Sequence, residues 1–218
     1  MNTSSNAALS DDNKVSRRLN IVQAAANLFA QQGFEGTSIS AIADAAAVKK
    51  TLVQYHFESK DNLWRETVRF IWQARTEALP QYLNQDLLAL DNEEHDMVRE
   101  LCRAILNFTF DQPQWVKLMF QEASTPGPRL DWMVEEFFTS DFNDGKAMIS
   151  LAQSYGLLPE VDAMDLLHIL SGALIYLVNV APITERVLGV KPSSEAYIDH
   201  HVDTLMRILQ SHNKDAEA

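Results

Sequence analysis

The feature that most constrains the fold of this chain is a helical spacing of apolar residues over long stretches with few breakers. Ile21, Ala25 and Leu28 recur at i, i+4 and i+7, which places them on one side of a helix predicted over about 16–32. Only 7 Gly and 7 Pro interrupt the 218 residues. Because segments of this length and regularity favour helices over short strands, the sequence predicts an all-α fold of about nine helices.

Turn-forming residues mark the joints between the later helices, for example at Pro80 and at Asp91–Asn92. The polar leader 1–13 is expected to be disordered, and the residues after Ser211 are expected to fray. Between these ends, the helices after the first three are predicted near 60–78, 80–89, 93–111, 113–124, 128–155, 160–180 and 194–211.

Charge is distributed unevenly along the chain. Residues 1–66 hold seven basic and seven acidic side chains, so the whole formal net charge of -12 belongs to the remainder. Duplex DNA requires local positive potential, which the balanced N-terminal part can supply and the acidic remainder cannot. The leader lacks the basic and apolar regions of a signal peptide, and we see no apolar run long enough to cross a bilayer, so a cytoplasmic protein without a membrane segment is expected.

Several kinds of chemistry have no support in the sequence. The single cysteine, Cys102, excludes an intramolecular disulfide and is expected to be a buried helix residue. Adjacent histidines such as His200 and His201 diverge on a helix, so neither a metal site nor a cofactor is expected. Phosphate-binding glycine loops, Gly-x-Ser-x-Gly turns and metal-spaced His/Glu motifs are missing from the sequence, which argues against an enzyme.

Two short helices predicted over about 39–46 and 49–56 follow the longer helix, and this layout is typical of a helix-turn-helix. Val48, Val53 and Phe57 can face the bracing helices. The polar residues of the second short helix then lie outward, where they suit phosphate and base edges, although any one of them could be solvated surface: Lys49, Lys50, Thr51, Gln54, Tyr55 and His56. Lys60 is expected to contact a phosphate, and Arg17 and Arg18 are expected to reach either a flanking phosphate or the minor groove.

The stretch from Arg18 to Trp64 resembles the DNA-binding domain of the TetR family of transcriptional regulators. The matching positions are Arg18, Ile21, Val22, Ala24, Ala25, Leu28, Phe29, Gly33, Phe34, Thr37, Ser38, Ile39, Ile42, Ala43, Val48, Tyr55, His56, Phe57, Ser59, Lys60 and Leu63. The resemblance implies that Lys49 to His56 is the recognition helix. It also implies phosphate contacts at Thr37 or Ser38, at Tyr55, at His56 and at Lys60.

Three positions depart from the pattern of the family. Ala47 stands where glycine is usual, and a turn with positive φ there would cost about 1 kcal/mol. Lys49 replaces a common Ser or Thr, which weakens the helix cap but adds positive charge. Gln54 replaces a common Tyr and can instead bond an adenine. These departures bear on which DNA sequence is read.

The resemblance also implies a division into a helix-turn-helix domain, 14–62, and a ligand-binding and dimerisation domain, 63–218. An apolar or aromatic effector would bind inside the second domain with one or two polar anchors. For most of the large apolar residues there, the plain alternative is a helical-bundle core. The candidate ligand residues are Trp72, Arg103, Asn107, Phe108, Trp115, Gln121, Phe138, His168 and Tyr176.

The helix near 160–180 is apolar on nearly every side and must therefore be buried, either in a core of its own chain or against a partner. With the helix near 194–211 it is expected to form a homodimer interface, as the resemblance implies. The expected function is a repressor that a small ligand releases from a palindromic operator. A helical interaction adaptor, or an activator with the same fold, is the alternative.

Overall fold

The computed structural model describes the backbone of residues 3–87 and 94–210 and the side chains of 15–78 and 97–209. All regular structure in these ranges is helical: α1 Thr3–Gly36, α2 Ile39–Ala45, α3 Lys50–Phe57, α4 Lys60–Leu87, α5 Glu94–Asp111, α6 Gln114–Ser124, α7 Pro128–Met133, α8 Thr139–Ser154, α9 Ala163–Leu188 and α10 Glu195–Gln210. A π-helical turn, Val134–Phe138, joins α7 to α8 without a break. The predicted all-α class is confirmed.

Helix α1 begins at Thr3 and so runs through the segment that was expected to be a disordered leader. No Gly or Pro occurs before Gly33, and a helix that is nucleated by the apolar stripe can therefore extend back through the polar residues. Gly33 interrupts α1 with φ 72 and ψ 175. The break falls where the sequence predicts the end of the first helix, and its positive φ explains the glycine.

Two helices continue past a proline, and the first of these prolines was expected to mark a helix boundary. Helix α4 runs through Pro80 to Leu87, so the separate helix predicted at 80–89 is wrong as far as the described residues go. Helix α9 runs through Pro182 and ends at Leu188, where Gly189 caps it with φ 67 and ψ 15. Each proline removes one backbone hydrogen bond, and the flanking turns of a long helix can absorb that loss. The joint expected at Asp91–Asn92 and the tail after Ser211 lie outside the described residues.

The buried apolar residues form two clusters. The first joins α1, α2 and α3 to α4, α6 and α7, and its largest fully buried members include Phe29 and Trp64. The second joins α5, α9 and α10 with parts of α8 and contains Cys102, which is buried as expected. Since the first cluster crosses the boundary expected between residues 62 and 63, the N-terminal helices and the rest of the chain share one core.

Helix α9 has two apolar faces. Leu166, Leu170 and Leu174 pack into the second cluster, while Ile183 and Val187 lie on the other side and are exposed. By length and composition alone α9 could also span a membrane, with a mean hydropathy of 1.9 in its most apolar window. The sequence analysis did not expect that. One side of the helix packs in the core of the chain, and a partner protein covering the other side would account for the same composition.

Candidate nucleic-acid interface and effector cavity

Helix α3 is held by its two buried residues and presents its other side chains outward. Val53 is fully buried and Phe57 nearly so, both in the first apolar cluster. The outward face carries the exposed residues Lys49, Lys50, Thr51, Gln54 and Tyr55, the last with 69% of its surface exposed. His56 is half-buried beside them. A short helix with an amide, a hydroxyl, a phenol and two ammonium groups on one side fits a DNA groove.

The turn before α3 has the positive φ at Ala47 that the sequence analysis considered. Ala47 adopts φ 53, a region that favours glycine, so the alanine is accommodated at a cost in backbone energy. Lys49 is the N-cap of α3 and makes no side-chain capping hydrogen bond. A lysine ammonium cannot accept hydrogen bonds from the amides of the helix end, and Lys49 is exposed, so its positive charge lies at the surface.

Arg17 lies beside the start of α3, although it comes from α1. Together with α3 it lines an open cleft of about 520 Å³, whose other lining residues are Ala47, Val48, Lys49, Thr51, Leu52 and Tyr55. The cleft thus brings Arg17 and Lys49 to one surface with two hydroxyl groups. This arrangement suits a phosphate group of a backbone that passes across the N-terminus of α3.

Thr37 and Ser38 have different places in the structure. Thr37 is 1% exposed, and its hydroxyl donates to the carbonyls of Gly33, at 2.8 Å, and Leu28, at 3.2 Å. The predicted phosphate contact at Thr37 is therefore wrong, because its hydroxyl group is buried and already hydrogen-bonded within the chain. Ser38 is exposed and caps α2 by accepting from the Ala41 amide at 3.0 Å.

The remaining predicted cations have partners within the chain. Arg18 forms an ion pair with Glu66 of α4 and lies over the ring of Phe57. The ammonium nitrogen of Lys60 lies 4.2 Å from the centroid of the Phe34 ring. Contacts of these two residues with DNA would have to compete with those interactions, so both are weaker candidates than the lysines of α3.

Four of the nine predicted ligand residues come together. Trp115, Phe138, His168 and Tyr176 line a partly open cavity of about 300 Å³ between α4, α6, α8 and α9. The sequence analysis assigned none of the other nine lining residues to a ligand site: Arg75, Met119, Phe120, Asp141, Phe142, Leu167, Ser171, Gly172 and Ile175. Apolar residues on amphipathic helices give no signal that separates cavity wall from core.

The polar end of this cavity is an ion pair. The Arg75 Nη2 atom donates to Asp141 Oδ1 at 2.6 Å, and the indole nitrogen of Trp72 donates to the other carboxylate oxygen at 3.2 Å. The Arg75 guanidinium also lies over the rings of Trp72 and Trp115, with its carbon 5.6 Å and 5.4 Å from the two centroids. Trp72 therefore supports the cavity through Asp141 although it does not line it.

The other predicted ligand residues lie elsewhere. Phe108 is buried in the first apolar cluster. Gln121 donates to the carbonyl of Ala30 at 3.1 Å, and Arg103 pairs with Asp199 of α10 at 2.8 Å. Asn107 is half-buried and lines no described cavity. These four assignments are corrected: the helix faces that carry them pack against α1, against α10 or into a core, and periodicity does not specify which neighbour a face meets.

A second, almost wholly apolar cavity of about 490 Å³ adjoins the first and is open to solvent, since Phe120, Val134 and Phe142 in its wall are exposed. Met119, Phe120, Phe138 and Phe142 line both cavities, and Ala123, Leu130, Val134 and Thr139 complete the second. Its wall includes the π-helical turn, a type of segment that recurs at functional sites and that sequence periodicity does not reveal.

The comparison with protein families decides the identity. Residues 21–67 match the family model of bacterial regulatory proteins of the tetR family, which spans α2, α3 and their flanking helices. Residues 21–67 of the chain are therefore a TetR-family DNA-binding domain. The match includes the whole exposed face of α3, so the regulator binds DNA through its helix-turn-helix.

Two relatives are named regulators. The sequence is 27% identical to the HTH-type transcriptional regulator RutR of Escherichia coli K12 over 192 residues, which are 87% of this chain and 86% of RutR. It is 26% identical to IcaR, the negative transcriptional regulator of the biofilm operon icaADBC in Staphylococcus aureus, over 107 residues. That match covers 49% of this chain and 53% of IcaR.

Solved structures share the fold of the regulator. AibR, solved in complex with isovaleryl coenzyme A and operator DNA, matches with a TM-score of 0.63 at 17% identity, over 88% of this chain and 97% of AibR. The hemolysin II regulator HlyIIR matches with a TM-score of 0.62 at 19% identity, over 88% and 97%. At these identities the likeness supports the fold alone.

Proposed function

We propose that this regulator is a dimeric repressor that a small molecule releases from a palindromic operator. The observation that carries the proposal is the pairing of two features: an outward polar face on α3 and a largely apolar cavity with a charged end in the body. Two similar proteins agree with it: IcaR is a negative regulator, and AibR was solved with isovaleryl coenzyme A and operator DNA.

The DNA contacts are assigned by exposure and chemistry. Gln54 and Lys50 are placed to meet base edges in the major groove, because they lie on the outward side of α3. Thr51 and Tyr55 on α3, and Arg17 and Lys49 beside it, are placed to hold the phosphate backbone. Ser38 and His56 are assigned secondary phosphate contacts.

The proposed dimer uses the outer face of α9. Ile169, Tyr176, Ile183 and Val187 follow one another at i, i+7, i+14 and i+18 and are all exposed in the single chain. Helix α10 takes a smaller part than expected, since Val202, Leu205 and most of its other apolar residues lie in the core of the chain. A two-fold pairing of α9 would set two α3 helices about 34–36 Å apart on one face of DNA.

The route from cavity to DNA is proposed to run through the residues that join the two parts of the chain. Along this route the centroids of successive aromatic rings are 5.1–6.3 Å apart. The rings belong to Phe34, Trp64, Trp132, Phe137, Trp72 and Phe138. Phe138 lines the cavity, whereas Phe34 contacts Lys60 at the start of α4. A ligand that displaces Phe138 would shift packed rings between discrete arrangements, which is how small displacements reach a distant site.

The surface of the π-helical turn carries a parallel link. Arg69 of α4 donates to Glu136 at 2.8 Å, and this hydrogen bond lowers the pKa of the Glu136 carboxyl group. Arg69 also lies 3.8 Å from Glu66, which is paired with Arg18 of α1. A movement of the π-helical turn would therefore also displace the ion pair that holds Arg18 of α1.

The test is fluorescence anisotropy of a duplex taken from the DNA upstream of the gene that encodes the regulator. We expect tight binding at low salt and a log-log salt dependence whose slope falls by about one on Lys49→Ala, because one phosphate contact by a cation is lost. Lys146→Ala, an exposed lysine on α8, is the matched control and should leave the slope unchanged. Equal effects of the two substitutions, or no binding at low salt, would contradict the proposal.

A further inference from the structure

We propose that the effector is an uncharged amphipathic molecule whose head group combines a carbonyl oxygen with an N–H, as in a carboxamide, and lies between Arg75 and Asp141. The inference rests on the proposed function, in which the cavity takes the effector, and it adds the chemical class of that ligand. Three properties of the cavity support it: its charge balance, its hydrogen-bonding inventory and its apolar extension.

The charges of the cavity already balance. Arg75 and Asp141 are joined at 2.6 Å, with side chains 19% and 30% exposed, and no other Lys, Arg, Asp or Glu lines the cavity among the described residues. The rest of the lining is mostly apolar, apart from His168, Ser171 and Tyr176. A carboxylate or an ammonium head group would add one uncompensated charge to this partly desolvated site, whereas a neutral head group would not.

The ion pair can still donate a hydrogen bond to a ligand through Arg75 and accept one from the same ligand through Asp141. The described hydrogen bond uses one of the five N–H groups of Arg75, and a carboxylate such as that of Asp141 can accept about four hydrogen bonds, of which two are described. A carbonyl oxygen can therefore accept from Arg75 while the N–H of the same amide donates to Asp141. The indole N–H of Trp115 is buried without a hydrogen-bond partner among the described residues, which adds a donor near the same end.

The apolar part of the ligand has a defined direction. Phe120, Phe138 and Phe142 separate the charged end from the second cavity and line both. That second cavity of about 490 Å³ is almost entirely apolar, and Leu130 and Val134 line it but not the first. An alkyl or aryl group attached to the head group would pass along these rings and leave the polar atoms at Arg75 and Asp141.

Calorimetric titration with three probes of the same shape tests the class. The probes are 4-phenylbutyramide, 4-phenylbutyrate and 4-phenylbutylamine, which differ in the charge of the head group and share the apolar body. For the unaltered chain we expect the amide to bind about tenfold more tightly than either charged probe, because only the amide keeps the cavity neutral.

Substitutions in the ion pair should then redirect the preference. Asp141→Asn leaves Arg75 uncompensated, so the carboxylate should become the tightest probe. Arg75→Gln leaves Asp141 uncompensated, so the amine should become the tightest. The double variant R75Q/D141N is neutral again and should return to the amide, which also guards against a folding defect in either single variant.

Arg103→Gln is the control, because Arg103 forms a comparably exposed ion pair with Asp199 away from the cavity. It should keep the order of the unaltered chain. The inference is overturned if a charged probe binds the unaltered chain as tightly as the amide, if no probe binds, or if the order is the same in all variants. DNA binding is measured without these probes, so such a result would leave the proposed DNA-binding function standing.

Discussion

The guanidinium of Arg129, at the start of α7, lies over the ring of Phe34, at the end of α1, with its central carbon 4.1 Å from the ring centroid. Lys60 occupies a position 4.2 Å from the same ring centroid. Arg129 also donates to Glu122 of α6, which is only 5% exposed. A single aromatic side chain at the end of α1 thus contacts both the start of α4 and the start of α7.

The pairing of Arg129 with Glu122 should contribute strongly to the free energy of unfolding. Removing Arg129 leaves a buried carboxylate without its cation, so we expect Arg129→Met to destabilise the chain by about 3 kcal/mol. Glu122→Gln in the same chain should recover part of that loss. Urea unfolding of the two single variants and the double variant measures the coupling, and strict additivity would show that the pair is not coupled.

Substitutions at Thr37 and Thr51 should have different effects: the first should lower the free energy of unfolding, and the second should weaken DNA binding. Thr37→Val removes a buried hydroxyl that donates to two carbonyls, so we expect a loss of about 1–2 kcal/mol in unfolding free energy and no change in the salt slope of DNA binding. Thr51→Val alters only the exposed face of α3 and should weaken DNA binding without a loss of stability. The reverse pattern in urea unfolding and anisotropy would place the phosphate contact at Thr37 after all.

Glycine should be preferred to alanine at position 47. Ala47 has φ 53, and glycine adopts this conformation without strain because it has no Cβ, so Ala47→Gly is expected to stabilise the chain by roughly 0.5–1 kcal/mol. Ala41→Gly, within α2, should instead destabilise it by a similar amount, because glycine is a poor helix former. Thermal unfolding of the two variants provides the measurement, and shifts of the same sign would contradict the argument.

Alkaline pH should destabilise the chain through Cys102. Burial raises the pKa of its thiol from 9.0 to about 11. The stability linked to this thiol is fully present below pH 9 and is lost as the pH rises through 11, because the unfolded chain releases the proton first. The loss should be about 2–3 kcal/mol over that range.

The measurement for Cys102 is urea unfolding at pH 8.5 and pH 10.5, with Cys102→Ala as the reference. The substitution removes the thiol, so the pH dependence should be shallower in the variant, whatever the other titrating groups contribute. Parallel pH profiles would show that the thiol is not protected from ionisation.

The outer face of α9 should control oligomeric state. Val187 is 74% exposed in the single chain, and Val187→Asp should shift sedimentation equilibrium from dimer to monomer by burying a charge in the proposed interface. Val15→Asp, at a valine of similar exposure on α1, should leave the mass unchanged. A monomeric unaltered chain, or a V187D variant that remains dimeric, would rule out this interface.

Local features of the sequence were sufficient for the helices near the N-terminus. The apolar spacing of Ile21, Ala25 and Leu28 and the glycine at 33 each act within one or two turns of helix, so their consequences can be read without knowing what the helices pack against. The outward face of α3 followed in the same way, once Val53 and Phe57 were assigned to the core.

What the sequence by itself determined, therefore, is the helical class, the helix-turn-helix and the side of α3 that faces outward. Only the tertiary structure decided that Thr37 is buried, that Arg103 and Gln121 turn away from the cavity, and that Arg75 meets Asp141. These pairings join residues up to 96 positions apart along the chain. Their choice depends on how helices of similar amphipathic pattern are arranged around shared cores, and periodicity along one helix does not encode which helix packs against it.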